Sequence, residues 1–362
     1  LVANGVIAGA CVLMAARLME RHGAPQWAIH CAALLAAVHP SLSTASRIAW
    51  PETILVAVLL SIALLVDQDR WIVAGAIAGA SVALHPRAVV IVVAVLMVAV
   101  LERRLSQMLR GSAPTLVGVG ILLQITGSWP AARIDAAQSI GAGPNPLVTI
   151  SGQWLAVGAG TGGLALIGLA VVVATGRSRS WPPSGAVLAL SAVGMLILGG
   201  WVLAGSARMD TILYGRYIGP WAVPLAVVGL ASVCRGAMNR RIAVALSLST
   251  LVAAFLAIAS SNQVTDAPRQ IMTLSLGAMW DIFDENLVGV ALVSLAVTLI
   301  GVIGSQRNSV VPVALFGLLA ISSTFVNHDH LHDVGQIADG QVTTAELVPE
   351  SVMCLAHDSS VK

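Results

Sequence analysis

Between Trp71 and Leu101 about thirty apolar residues run with one interruption, His85-Pro86-Arg87. A run of this kind has few places to go. In a helix, roughly 20 apolar residues cross a hydrocarbon core about 30 Å thick. Comparable runs recur along the chain. Only 10% of the 362 residues are charged and 57% are hydrophobic, with a mean hydropathy of +0.89. A soluble domain carries roughly 25% charged residues. Too few charges remain to cover a water-facing surface, so the chain reads as all-α, a polytopic bundle of transmembrane helices. The net charge of +2 is uninformative, and with no basic cluster suited to nucleic acid, none is expected as a partner.

Twelve candidate helical segments are expected: Leu1–Leu18, Trp27–Leu42, Pro51–Val66, Trp71–Leu84, Ala88–Leu101, Thr115–Ile125, Trp154–Ala174, Ala186–Ala204, Arg216–Cys234, Ile242–Ser260, Leu287–Gly304 and Val310–Phe325. Several are short for a full span. Arginine placement gives the orientation, because short cytoplasmic loops collect positive charge. Alternate connections hold Arg17, Arg21, Arg70, Arg103, Arg104, Arg110, Arg177, Arg179, Arg235, Arg240, Arg241 and Arg307. The other side holds Arg47, Arg87, Arg133, Arg208, Arg216, Arg269 and Lys362. The first set is assigned to the cytoplasm. Thirteen of the seventeen acidic residues then lie outside, where the longer loops, Ser128–Gln153 and Ser261–Asn286, also fall. Long loops tend to carry function. The map puts Leu1 outside, so a preceding helix and outer loop are expected. A bundle over 1–326 and a polar extracytoplasmic segment over 327–362 follow, with a strand expected at Ser351–Ala356.

Cys11, Cys31, Cys234 and Cys354 show no metal or redox spacing. No charged n-region precedes the first apolar run, so no signal peptide is read. Neither a phosphate-cradling Walker loop nor a Gly-x-Ser-x-Gly element is present.

An ionisable residue at membrane depth is costly and marks function by default. Four clusters qualify. In His39–Glu52, Pro51 suits the first turn of a helix and Glu52 then sits at its N-terminus, where a carboxylate is favoured. Arg47 there suits a phosphate and Glu52 a sugar hydroxyl, a metal or the acceptor, or both form a local capping pair. In His85-Pro86-Arg87, Arg87 matches phosphate oxygens or snorkels from an outer turn. In Arg208–Pro220, Asp210, Tyr214, Arg216 and Tyr217 gather where a helix enters the membrane, as phosphate ligands or interfacial anchors. In His328-Asp329-His330-Leu331-His332-Asp333, the three alternating histidines His328, His330 and His332 can meet a divalent metal ion on an extended segment.

Ser46-Arg47-Ile48-Ala49-Trp50-Pro51-Glu52, Leu84-His85-Pro86-Arg87-Ala88, Ser151-Gly152-Gln153-Trp154-Leu155-Ala156-Val157 and Tyr214-Gly215-Arg216-Tyr217-Ile218-Gly219-Pro220 resemble, in this order, motifs of the C-type (GT-C) membrane glycosyltransferases. The resemblance is to actinobacterial members related to mannosyl- and arabinosyl-transferring enzymes. It implies inverting transfer of a sugar from a polyprenyl-phosphate donor to a cell-envelope glycan, lipid or protein acceptor, on the extracytoplasmic face of the cytoplasmic membrane. It also implies that Arg87, Arg216 and Tyr217 hold the donor phosphate. His39, Arg47, Glu52, His85, Gln153, Trp154, Asp210 and Tyr214 would then line the donor and acceptor sites. The family's catalytic acid lies in its first outer loop, which corresponds to a position upstream of Leu1, so Glu52 supports rather than replaces it. The alternatives are a transporter or flippase of a lipid-linked or small solute, and a non-catalytic relative.

Overall fold

The computed structural model describes residues 2–47, 50–126, 145–175, 182–204, 208–264, 266, 268 and 272–338. Among them are fifteen α-helices and no strand. The first seven are α1 (Val2–Arg21), α2 (Gln26–Val38), α3 (Pro40–Ser43), α4 (Glu52–Asp67), α5 (Trp71–Leu84), α6 (Val89–Leu101) and α7 (Leu105–Thr126). Then follow α8 (Pro146–Gly160), α9 (Leu164–Thr175), α10 (Pro183–Leu203), α11 (Gly219–Cys234) and α12 (Arg240–Ala259). The last three are α13 (Gly277–Ile282), α14 (Leu287–Gly304) and α15 (Val310–Ala338).

Six helices are long and apolar enough to cross a membrane, namely α1, α7, α10, α12, α14 and α15, or seven if α8 and α9 count as one bent span. This is the architecture of a multi-pass membrane protein. Its lipid-facing sides remain exposed, as with Val117, Ile121 and Ile125 of α7 and Val244, Leu248 and Phe255 of α12. Several of the twelve expected segments are short for a full span. α2, α5 and α11 are shorter apolar helices of 13 to 16 residues.

Short helices pack tightly where glycine removes the side chain. A Cβ on Gly111 of α7 would lie 1.9 Å from the Ile72 carbonyl oxygen of α5, and one on Gly75 would lie 2.4 Å from the Met108 carbonyl oxygen. The α9–α11 pair repeats the device, with 2.3 Å from Gly168 to the Leu225 oxygen and 1.9 Å from Gly229 to the Leu164 oxygen. Small residues at facing positions let membrane helices approach closely and gain dispersion contacts. One apolar core joins α1, α2, α4–α6 and α9–α11 around Trp71 and Trp221. A second, around Trp280, joins α8 and α12–α14.

Four sequence expectations change. The segment Trp154–Ala174 is two helices bent by 114°. Asn145 and Pro146 start α8 eight residues earlier than expected, with the Asn145 side chain accepting from the Leu147 N–H at 2.9 Å. Gly162 and Gly163, at φ +54° and +84°, then break the helix where other residues would be strained. The segment Thr115–Ile125 is extended N-terminally to Leu105 through Pro114, so Arg110 lies within α7 rather than in a loop. The helix expected to open at Arg216 opens at Gly219, with Pro220 in its first turn, leaving Arg216 and Tyr217 in the preceding turn. The last segment does not stop at Phe325. It continues as one helix across 326/327 to Ala338. The expected strand at Ser351–Ala356 lies outside the described residues.

The close approaches give a stability test. Gly229→Ala drives a Cβ into backbone and is expected to cost about 1–3 kcal/mol. Gly5→Ala on α1 meets nothing within 4 Å and is expected to leave stability unchanged or raise it by up to about 1 kcal/mol through helix propensity. Thermal unfolding of the two variants in detergent distinguishes them.

Candidate functional site

Three loops deliver charge to one point. Pro51 places Glu52 as the first residue of α4, where it is fully buried. Pro86 turns the chain between α5 and α6 and places Arg87 in a single 3-10 turn, Pro86–Ala88. The His85 ring fixes this turn by accepting the Arg87 backbone N–H on Nδ1 at 3.2 Å. The turn before α11 supplies Arg216. Arg87 Nη2 donates to Glu52 Oε1 at 2.7 Å, and Arg216 Nε donates to the same oxygen at 2.9 Å. The Arg87 side chain is 4% exposed and that of Arg216 19%.

Each arginine is held from behind. Tyr217 lies 5.2 Å from the Arg87 guanidinium carbon, and Tyr214 packs edge-on to Tyr217 at 4.8 Å. Trp50 stacks on Arg216 at 3.6 Å, close to van der Waals contact, in a cation–π arrangement. Met272 completes the wall. Its carbonyl accepts the Arg216 backbone N–H at 3.2 Å, and its sulfur accepts from Arg216 Nη1 at 3.2 Å and from the Tyr214 hydroxyl at 3.5 Å. Burial pushes the Tyr214 phenol above its ordinary range, so it stays protonated as a donor.

Two guanidiniums face one carboxylate, so the cluster carries one excess positive charge. A buried charge without a counterion is costly. The arrangement therefore favours an anion arriving beside Arg216, the partly exposed member.

The other expected residues stand around or apart from this cluster. His39, 1% exposed, caps α3 by accepting the Ser41 N–H on Nδ1 at 3.1 Å and sets its ring edge-on to Phe316 at 5.6 Å. Burial pushes its pKa down to about 3, keeping the ring neutral. Arg208 grips Asp210 with two hydrogen bonds of 3.1 and 2.8 Å. Arg47 Nη1 meets His328 Nδ1 at 3.0 Å on the surface. Gln153 and Trp154 point into the bundle from the middle of α8, and their side-chain nitrogens donate to the Thr149 carbonyl at 3.3 Å and to Thr250 Oγ1 at 3.4 Å. They are not brought to the arginines by these contacts.

The metal expectation for His328, His330 and His332 assumed an extended segment. All three lie on α15, a helix rather than an extended segment, and His328 and His330, two residues apart, point to nearly opposite sides. Among the described residues no group of three metal-binding side chains comes together.

Sequence reasoning gave no role to Trp50 or Met272. Trp50 was within reach, since it adjoins the Pro51-Glu52 helix start. Met272 had no signal, because only the folding of residues 272–282 back against α8 and α15 brings it to Arg216.

Glu52→Ala leaves the buried Arg87 and the partly exposed Arg216 without their shared counterion and is expected to destabilise by about 3–5 kcal/mol. Glu20→Ala, which removes an exposed partner of Arg17, is expected to cost less than about 1 kcal/mol. Equal losses in a thermal-unfolding comparison would contradict the buried-triad account. In comparisons with known proteins, no family model, curated protein or solved structure matches the chain.

Proposed function

We propose that the chain is a GT-C-type membrane glycosyltransferase that moves a sugar, with inversion, from a polyprenyl-phosphate donor to a cell-envelope acceptor on the extracytoplasmic side of the membrane. The observation that carries this reading is the meeting of Glu52, Arg87 and Arg216 from loops 35 and 164 residues apart. Three of the four motifs that resemble the family thus meet in space. The fourth, around Gln153, packs behind them against α10 and the Ile212 backbone.

In the proposed chemistry the acceptor hydroxyl attacks the anomeric carbon as the bond to the phosphate oxygen breaks, and the phosphate leaves with added negative charge. Preorganised cations aimed at that charge stabilise the transition state more than the ground state. Arg216 takes this role because it is the triad member open to solvent, while Arg87 and Glu52 hold its position and charge. Glu52 is not assigned as the base, since a carboxylate gripped by two guanidiniums is a weak proton acceptor. The acceptor proton would pass to a general base other than these three residues.

One observation favours transport instead. The broken pair α8–α9, with Thr161-Gly162-Gly163 at the break, is the kind of discontinuous helix that lines substrate paths in secondary transporters. Thr161 Oγ1, however, accepts the Ala165 N–H at 3.2 Å, so its side chain caps α9. That places the weight on the arginine cluster.

Reconstituted full-length protein, given a labelled polyprenyl-phosphate pentose or hexose and an envelope-glycan acceptor, is expected to transfer the sugar. Arg216→Ala is expected to lower the rate by about 10²–10³-fold, and Glu52→Ala to lower it at least as far. Unchanged transfer in both variants would contradict the site. Vesicle uptake of the lipid-linked sugar without transfer would favour transport.

A further inference from the structure

A cleft of about 390 Å³ opens at the end of the bundle opposite the arginine cluster. Glu52 begins α4 and Asp67 ends it, so at 1.5 Å per residue the two places are roughly 22 Å apart along that helix. The ends of α1, α4 and α6 and the starts of α5 and α10 wall the cleft. Its volume falls within the roughly 300–1,000 Å³ of small-ligand sites.

The lining carries both signs of charge, from Arg21, Asp67, Asp69, Glu102 and Arg104. Part of this charge is already used. Arg104 Nη2 donates to Asp69 Oδ2 at 2.7 Å, and the Trp71 indole donates to Asp69 Oδ1 at 2.8 Å. Asp67 Oδ1 accepts the Ser184 N–H at 3.1 Å and so caps α10. Arg21 and Glu102 are exposed, and neither makes a hydrogen bond or ion pair among the described residues.

These charges select a ligand class. A simple anion would meet three carboxylates, and a simple cation would meet two guanidiniums. Among the described residues no group of three side chains is placed to hold a metal ion. A ligand that carries an ammonium beside an anion answers both signs. Its N–H groups would donate to Glu102, with the charge of Asp67 behind, and its anion would accept from Arg21. Ionised donors and acceptors make the stronger hydrogen bonds.

The surroundings identify the carrier of these charges. Ile72, Leu101 and Leu105 are 47%, 65% and 37% exposed. They are the chain neighbours of Trp71, Glu102 and Arg104, which line the cleft. Apolar side chains exposed at the ends of membrane helices are surfaces for acyl chains, so a headgroup site and a lipid-facing surface share one edge. We propose that the cleft binds the headgroup of phosphatidylethanolamine, with its phosphate on Arg21, its ammonium on Glu102 and its acyl chains along the exposed sides of α5, α6 and α7. This site stands independently of the sugar-transfer reading.

The test is native mass spectrometry of the full chain in detergent with an equimolar mixture of phosphatidylethanolamine, phosphatidylcholine and phosphatidylglycerol of identical acyl chains. Phosphatidylethanolamine is expected to be retained over the other two. Glu102→Gln is expected to lower its retention relative to phosphatidylglycerol by about tenfold. Phosphatidylglycerol binding should be unchanged in that variant, which a loss of fold would not allow. Arg21→Gln is expected to weaken phosphatidylethanolamine by a similar factor. Glu20→Gln, an exposed change on α1 outside the cleft, is expected to bind as the parent does. Equal retention of the three lipids by the parent would overturn the proposal, as would an unchanged lipid ratio in Glu102→Gln. Displacement of the lipid by an equal concentration of glycerophosphoethanolamine, which lacks acyl chains, would overturn the lipid assignment in favour of a free zwitterion.

Discussion

A carboxylate that enters a low-dielectric bundle needs its charge answered, and at Glu52 two guanidiniums answer it through one oxygen. Breaking such a pair is far more costly than forming it is favourable. The triad therefore acts less as a source of stability than as a device for position. It fixes the start of α4, the turn between α5 and α6, and the turn before α11 to one point. Any displacement of one of these elements leaves charge unpaired. Trp50, Tyr217 and Met272 then restrict the arginine side chains from the remaining sides.

The rest of the bundle makes this convergence possible. α4, α5, α6 and α11 are each 16 residues or fewer. Helices that short bring their polar ends in from the level reached by the longer spans. Gly75 and Gly111 between α5 and α7, and Gly168 and Gly229 between α9 and α11, compensate by close backbone approach. Deep apolar packing thus anchors short helices while their charged mouths stay together. The excess positive charge at Arg216 gives the resulting site its chemical character.

Much of this was legible in the chain before its fold was known. Apolar run length showed membrane helices, and Pro51-Glu52 and His85-Pro86-Arg87 marked where they begin and break. Those signals are local, and local rules held for them. The segment Trp154–Ala174 failed because Gly and Thr are common inside membrane helices, so Thr161-Gly162-Gly163 did not stand out as a break. Ser112-Ala113-Pro114 read as a loop, yet α7 passes through it because packing on α5 outweighs the local preference. The histidines at 328–332 were judged by their alternation, which matters only on an extended chain. That Arg87 and Arg216 share Glu52 was not legible at all, since nothing in a single sequence pairs residues 35 and 164 positions apart.

The central claim is that the triad's unbalanced charge exists to receive a phosphate carried on a lipid. The most direct measurement is the affinity of the reconstituted full chain for polyprenyl phosphate against the matching polyprenol, compared with Arg216→Gln. The account predicts tighter binding of the phosphate than of the alcohol, with the difference abolished by the substitution. Equal binding of the two lipids by the unsubstituted protein would contradict it.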